Sequence, residues 1–227
     1  TKIAELTDGA GVRLPVTSRP LIIPQPRTNK RFVTVGTGRL LHPSDSGSTQ
    51  AQRFFAILDG TGVRFNKSAD LPPGISFPIQ VSNLNELKPA DLIDATRKTS
   101  YDQTTQIGWF VDLGVIAGGA GWRVISDPSS YLSFVAFTAM VPSTSNACEQ
   151  NGTSRVYAID LGTGQSRLRT VTTDANGQLN SVIVPFLSTL PGVVTDLRFY
   201  HVDGKARLLA GSDTGETKEY AGDWSLD

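Results

Sequence analysis

Cysteine is almost missing: Cys148 is the sole thiol in 227 residues. That excludes an internal disulfide framework and any cysteine-rich zinc site. Histidine is nearly as scarce, with only His42 and His201, and neither has a Cys or Glu neighbour at ligand spacing. Excess charge of either sign is also lacking, since 21 Lys and Arg balance 21 Asp and Glu. With no net field, the chain has no general attraction for nucleic acid or an anionic membrane. No apolar run approaches about 20 residues, so no membrane span is expected. An alternating Asp/Asn calcium loop is absent, as is a Gly-x-Ser-x-Gly nucleophile elbow.

What is abundant is turn chemistry, with 22 Gly and 13 Pro. Two segments organise the chain, Phe54-Phe55-Ala56-Ile57-Leu58-Asp59-Gly60-Thr61-Gly62 and Val156-Tyr157-Ala158-Ile159-Asp160-Leu161-Gly162-Thr163-Gly164. Each reads as a buried strand entering a tight turn, where Asp gives an Asx hydrogen bond and Gly gives positive φ. Further strands are expected at Arg31–Gly36, Gly108–Leu113, Tyr131–Val141, Leu179–Leu190 and Val193–Val202. His201-Val202-Asp203-Gly204-Lys205 predicts an Asp-Gly hairpin. A second hairpin is expected where Gly108–Leu113 passes through Gly118-Gly119-Ala120-Gly121 into Trp122–Ile125.

Residues 63–106 break the strand rhythm, with Leu71-Pro72-Pro73-Gly74 and a short helix starting at Pro89, a residue suited to the first helical position. The expectation is an insertion riding on the sheet scaffold. A loop is expected from Pro142 to Thr153. The whole predicts an all-β chain: a β-propeller of about three to four four-stranded antiparallel blades with a short helical insertion. Residues 1–227 are read as one partial propeller domain, because the chain starts at Thr1 in mid-strand and holds few blades.

Asp213-Thr214-Gly215 has the triplet of aspartic proteases but no second copy, and a turn explains it better. The same holds for the Asp-plus-glycine turns at Asp8, Asp59, Asp160 and Asp203. Gly118–Gly121 lacks the Lys and Ser/Thr of a phosphate loop. Asn66 and Asn151 begin glycosylation sequons. Trp109, Phe110 and Trp122 read as core. No catalytic or metal residue is nominated, and no partner-binding residue is assigned.

The order of motifs resembles one family. Leu14-Pro15-Val16-Thr17-Ser18-Arg19-Pro20 is followed by Arg31-Phe32-Val33-Thr34-Val35-Gly36-Thr37-Gly38-Arg39. Gln52–Asp59, Gly108-Trp109-Phe110-Val111-Asp112-Leu113, Cys148 and Gly152-Thr153-Ser154-Arg155-Val156-Tyr157-Ala158-Ile159-Asp160 come next. Over residues 14–165 this is similar to the C-terminal propeller of PilY-type proteins, the tip-associated biogenesis factors and adhesins of bacterial type IV pili. The resemblance implies a non-enzymatic scaffold on the cell surface, at the pilus tip or outer membrane, exported through the periplasm. It implies minor pilins and the rest of the propeller as partners, host or abiotic surfaces as targets, and a role opposing retraction. The family's calcium loop would lie upstream of Lys2, so no cofactor is carried over, and no Arg-Gly-Asp triplet is present. The alternative is a fragment of a quinoprotein dehydrogenase propeller, which shares the Tyr-Ala-Leu-Asp strand end. A small aspartic protease dimer is a third reading.

Overall fold

A computed structural model describes residues 2–143, 152–174, 176–188 and 192–225. Among these, strands dominate and helix is confined to single turns. Three sheets carry the architecture. The first has six strands, five of them in the order Leu21–Gln25, Lys30–Gly36, Arg53–Thr61, Gly108–Asp112, Asn85–Glu86, with Val63–Arg64 beside Arg53–Thr61. The second has four, in the order Leu187–Ser188, Gly152–Asp160, Phe134–Pro142, Ser129–Tyr131. The third is a meander of Val194–Val202, Lys205–Ser212 and Thr217–Tyr220. Among the described residues no sheet closes on itself.

The middle sheet explains why its sequence is so apolar. Side chains alternate faces along a strand, and here both faces are covered. Val135, Phe137, Ala139, Tyr157 and Ile159 join the core shared with the first sheet. Their neighbours Ala136, Val156 and Ala158 join a second core with Val194, Leu197, Leu208 and Ala210 of the third sheet. A sheet buried on both faces loses polar alternation and reads as a continuous hydrophobic run. Large rings fill the first interface: Phe54 stacks on Phe137 at 3.8 Å between centroids, and Phe137 on Tyr157 at 5.0 Å. On the other side the small Ala136, Val156 and Ala158 of the middle sheet meet Leu197, Leu208 and Tyr220. The two organising segments thus belong to adjacent sheets packed on one core, which is the stacked β-sheet arrangement their repetition predicts.

Turn chemistry settles as expected at several places. Asp203 and Gly204 sit at φ 50° and 73° between the paired residues Val202 and Lys205, the doubly positive conformation that Asp-Gly supplies in a two-residue hairpin. Asp160 Oδ1 accepts from the backbone N–H of Gly162 and Thr163 at 2.8 and 2.9 Å. Pro89 opens the helical turn Pro89–Ile93.

Two expectations fail. The predicted hairpin from Gly108 to Ile125 does not form. Asp112 ends its strand by accepting from the N–H of Gly114 and Val115, and so caps a helical turn, Leu113–Ala117, closed by Gly118 at φ 70°. Trp122–Ile125 then runs between the sheets, bridging Arg123 to Met140 of the second, while Val124 N–H donates to Thr37 O at 2.9 Å. Residues 63–106 do interrupt the strand rhythm, yet they do not ride on the scaffold. Leu71, Ile79, Leu84, Leu87, Leu92 and Tyr101 are buried in the main core. Asn85–Glu86 adds a parallel strand beside Gly108–Asp112, and Ile79–Gln80 pairs with Ala4–Glu5. The segment also ties the first two sheets together: Ser100 N–H donates to Gly162 O at 2.7 Å and Ser166 N–H to Leu92 O at 2.7 Å. It is internal structure.

Candidate functional site

The residues weighed for chemistry are scattered. Asp213 and Gly215 shape the turn between two strands of the third sheet, with Asp213 Oδ1 accepting from Val193 N–H at 3.1 Å. His42 heads the single turn Pro43–Asp45, while His201 sits in the strand Val194–Val202 of the third sheet, edge-on to Tyr131. The structure does not bring the two histidines together. Trp109 and Trp122 are buried as expected, and Trp109 Nε1 donates to Leu161 O at 3.1 Å across the sheet interface. Asn66 lies in an irregular segment next to the turn Ser68–Asp70; Cys148 and Asn151 fall outside the described residues. Among the described residues no three His, Asp or Glu side chains converge as a metal requires. Burial pushes the Tyr101 and Tyr157 hydroxyls up to about 12, away from phenolate character.

Asp59 and Asp160, the aspartates of the two organising segments, do more than shape turns. Each is nearly buried and paired with an arginine: Arg31 Nη2 lies 2.9 Å from Asp59, and Arg167 Nη2 lies 3.2 Å from Asp160. Asp160 Oδ2 also accepts from Ser133 Oγ at 3.0 Å, so both of its oxygens are occupied. The sequence shows the aspartates but not the arginines that answer them, Arg31 from the neighbouring strand and Arg167 from just beyond the Asp160 turn.

Two clefts sit at the sheet junctions. One of ≈ 290 Å³ is lined by Arg13, Arg39, Asp45, Gln52 and Arg123, among others. It is a clamp whose groups are largely spent on each other. Arg123 donates to the carbonyls of Gly121, Arg39 and Ser48 at 3.0 Å each. Asp45 accepts from Arg39 Nε at 2.9 Å and from the N–H of Leu41 and His42 at 3.0 Å.

These bonds, the Arg39 guanidinium first and then Leu41 N–H, hold the Asp45 carboxyl down from 3.8 to about 2. A carboxyl depressed on folding stabilises the protein above its unfolded value, and that contribution is lost as pH falls through the folded value. Asp45→Asn should therefore lower the melting temperature by a constant amount above about pH 4. The gap should close between pH 3.8 and about 2, the window set by the shift. A melting series of parent and variant checks this; a gap independent of pH would show that the carboxylate charge is not involved. Asp8, Asp70 and Asp174 are also held below the usual range, each mainly by a backbone N–H, of Val12, Asn66 and Gln178 respectively.

The other cleft, of ≈ 260 Å³, opens where the Gln25–Lys30 turn of the first sheet meets the Asp160–Thr163 turn of the second, with Lys98, Thr99 and Gln103 also lining it. Its charged residues are Arg27, Lys30, Lys98, Arg167 and Asp160. Four cations face one carboxylate, already paired with Arg167. Lys30 is half-buried with its ammonium 5.7 Å from the centre of the Tyr101 ring, and burial alone lowers its pKa. Cations outnumber carboxylates in the lining of both clefts, and no local sequence pattern announces this one.

Stacked meandering sheets with a two-faced central sheet define a β-propeller-like protein. No protein-family model matches the chain. Its fold does match the crystal structure of the Pseudomonas aeruginosa PilY1 C-terminal domain, with a TM-score of 0.63 at 18% identity over 99% of this chain and 48% of that one. In sequence it is 27% identical over 175 residues to a type IV pilus biogenesis factor PilY1 homolog of Xylella fastidiosa, covering 76% of this chain and 11% of the relative. Motifs, sequence and fold therefore agree: the chain resembles a PilY-type C-terminal region. It spans about a tenth of the curated relative's length and about half of the crystallised domain. No helix is long and apolar enough to cross a membrane among the described residues.

Proposed function

We propose that the chain is the propeller portion of a type IV pilus biogenesis factor and acts as a non-enzymatic scaffold. On this reading it works at the bacterial surface, at the pilus tip. It helps minor pilins assemble the fibre, opposes retraction, and supports attachment to host or abiotic surfaces. The observation that carries it is the sequence match to the PilY1 homolog across 76% of the chain. Rigid sheets that hold turns and loops in fixed positions suit such a role, because binding specificity resides in connections positioned by a scaffold.

The test is an in-frame deletion of the segment encoding these residues in the producing bacterium. Sheared surface pili should fall sharply, and removing the retraction motor as well should restore them. Unchanged piliation and motility in the deletion strain would overturn the proposal. A near-ultraviolet or visible absorption band from a quinone bound to the purified chain would move the assignment to the dehydrogenase class.

A further inference from the structure

The hairpin of Arg169–Thr173 and Leu179–Ile183 stands apart from the three main sheets, as a two-stranded sheet of its own. Burial falls away along it from Arg169 outward, and Val171, Leu179 and Val182 are exposed. A lone two-stranded hairpin is marginal in water; stability calls for a third strand or a packed face. The base of the hairpin shows where a third strand lies. Leu168 bridges antiparallel to Gly222, just past the outer strand Thr217–Tyr220 of the third sheet. Arg169 N–H donates to Ala221 O at 3.1 Å, and Asp223 N–H to Arg167 O at 2.9 Å. Beyond Arg169 the ladder stops, and the hairpin and that strand are not paired with each other.

The backbone groups left over on the two edges are complementary. In an antiparallel ladder every second residue turns its N–H and C=O to the same neighbour. Arg169 turns toward Ala221, so Val171 and Thr173 turn the same way. Ala221 turns toward Arg169, so Glu219 and Thr217 present their N–H and C=O to that side. Among the described residues neither set has a backbone partner. We propose that the hairpin is an arm, hinged at Arg169, that closes on Thr217–Tyr220 and extends the third sheet from three strands to five. The bridge at its base already sets the register: Val171 comes opposite Glu219, Thr173 opposite Thr217, and between them Thr172 opposite Lys218. Thr170, Val171, Thr172, Thr173, Val182 and Ile183 are β-branched, as suits strands inside a sheet. An uncovered edge is a template for another chain, so the arm gates this one. Open, it leaves Thr217 and Glu219 to an incoming extended strand; closed, it occupies them itself. The inference rests on register and backbone hydrogen bonding and is independent of the pilus reading.

The experiment combines Thr172→Cys with Lys218→Cys in a Cys148→Ser background of the whole chain and oxidises it mildly with oxidised glutathione. With the arm closed, the two positions form a non-hydrogen-bonded pair with Cα atoms about 4.5 Å apart, within reach of a disulfide. Asn180 is the partner of Thr172 on the arm's other strand, one strand further from Lys218 and about 9–10 Å away on closure. Asn180→Cys with Lys218→Cys is therefore the control. The first pair should crosslink in most molecules, and the control should stay reduced. Hydrogen exchange on the unsubstituted chain reads the same closure without any variant. The Val171 and Glu219 amides should exchange at least about tenfold slower than unprotected backbone. A first pair that stays reduced in folded protein, a control that crosslinks as readily, or unprotected amides at Val171 and Glu219 would each overturn the proposal.

Discussion

Ile159→Asp is expected to remove most of the folded protein's stability. Ile159 is fully buried, pairs with Val135 in the middle sheet, and belongs to the core shared with the first sheet. The substitution strips apolar contacts and puts a carboxylate among the packed side chains of that core. Leaving a buried charge unpaired costs several kcal/mol, against a total of roughly 5–15 kcal/mol for a domain. Urea unfolding should show the midpoint collapse. Ile159→Val, which trims one methylene, should cost only about 0.5–1.5 kcal/mol. Coincident midpoints for parent and Ile159→Asp would mean that the strand does not lie between two sheets.

Replacing residues 67–104 by a short Gly/Ser linker is the second large effect, and here the expectation from sequence reverses. Deletion removes Leu71, Ile75, Ile79, Leu84, Leu87, Leu92 and Tyr101, all buried in the main core. Each fully buried apolar side chain contributes about 1.5–3 kcal/mol, so their combined loss rivals the whole stability of a domain. The ties from Ser100 and Leu92 to the second sheet go with them. Calorimetry should show no cooperative transition. A variant that melts like the parent would restore the view of this segment as a passenger on the sheets.

The failure to read that segment has a physical cause. Its buried residues stand apart, as Leu84 and Leu87 do between polar neighbours, and follow no fixed period. Periodicity reports regular elements, and here the chain reaches the core through two-residue strands and single turns. Gly108–Leu113 misled for a different reason. Asp before glycine-rich sequence signals a turn, and Asp112 uses the same side-chain chemistry to cap a helical turn too short to show a helical pattern. The two organising strands were legible because both are continuous, β-branched and aromatic, and end in residues with few conformational options. The basic cleft was illegible. Lys30, Lys98 and Arg167 meet only because three distant turns do, and each cation taken alone looks like ordinary solvated surface.

The unequal faces of the middle sheet also govern which length changes the chain can absorb. Phe134–Pro142 and Gly152–Asp160 pair without a break over nine positions. Their ring-bearing side meets Phe54, and their other side meets a wall that includes Ala210. One residue inserted between Phe134 and Phe137 would swing every later side chain to the opposite face, turning Phe137 toward the third sheet and Ala136 or its neighbours toward the first. Two residues inserted at the same place would restore the alternation. Tolerance here should follow parity, with even insertions accommodated and odd ones rejected.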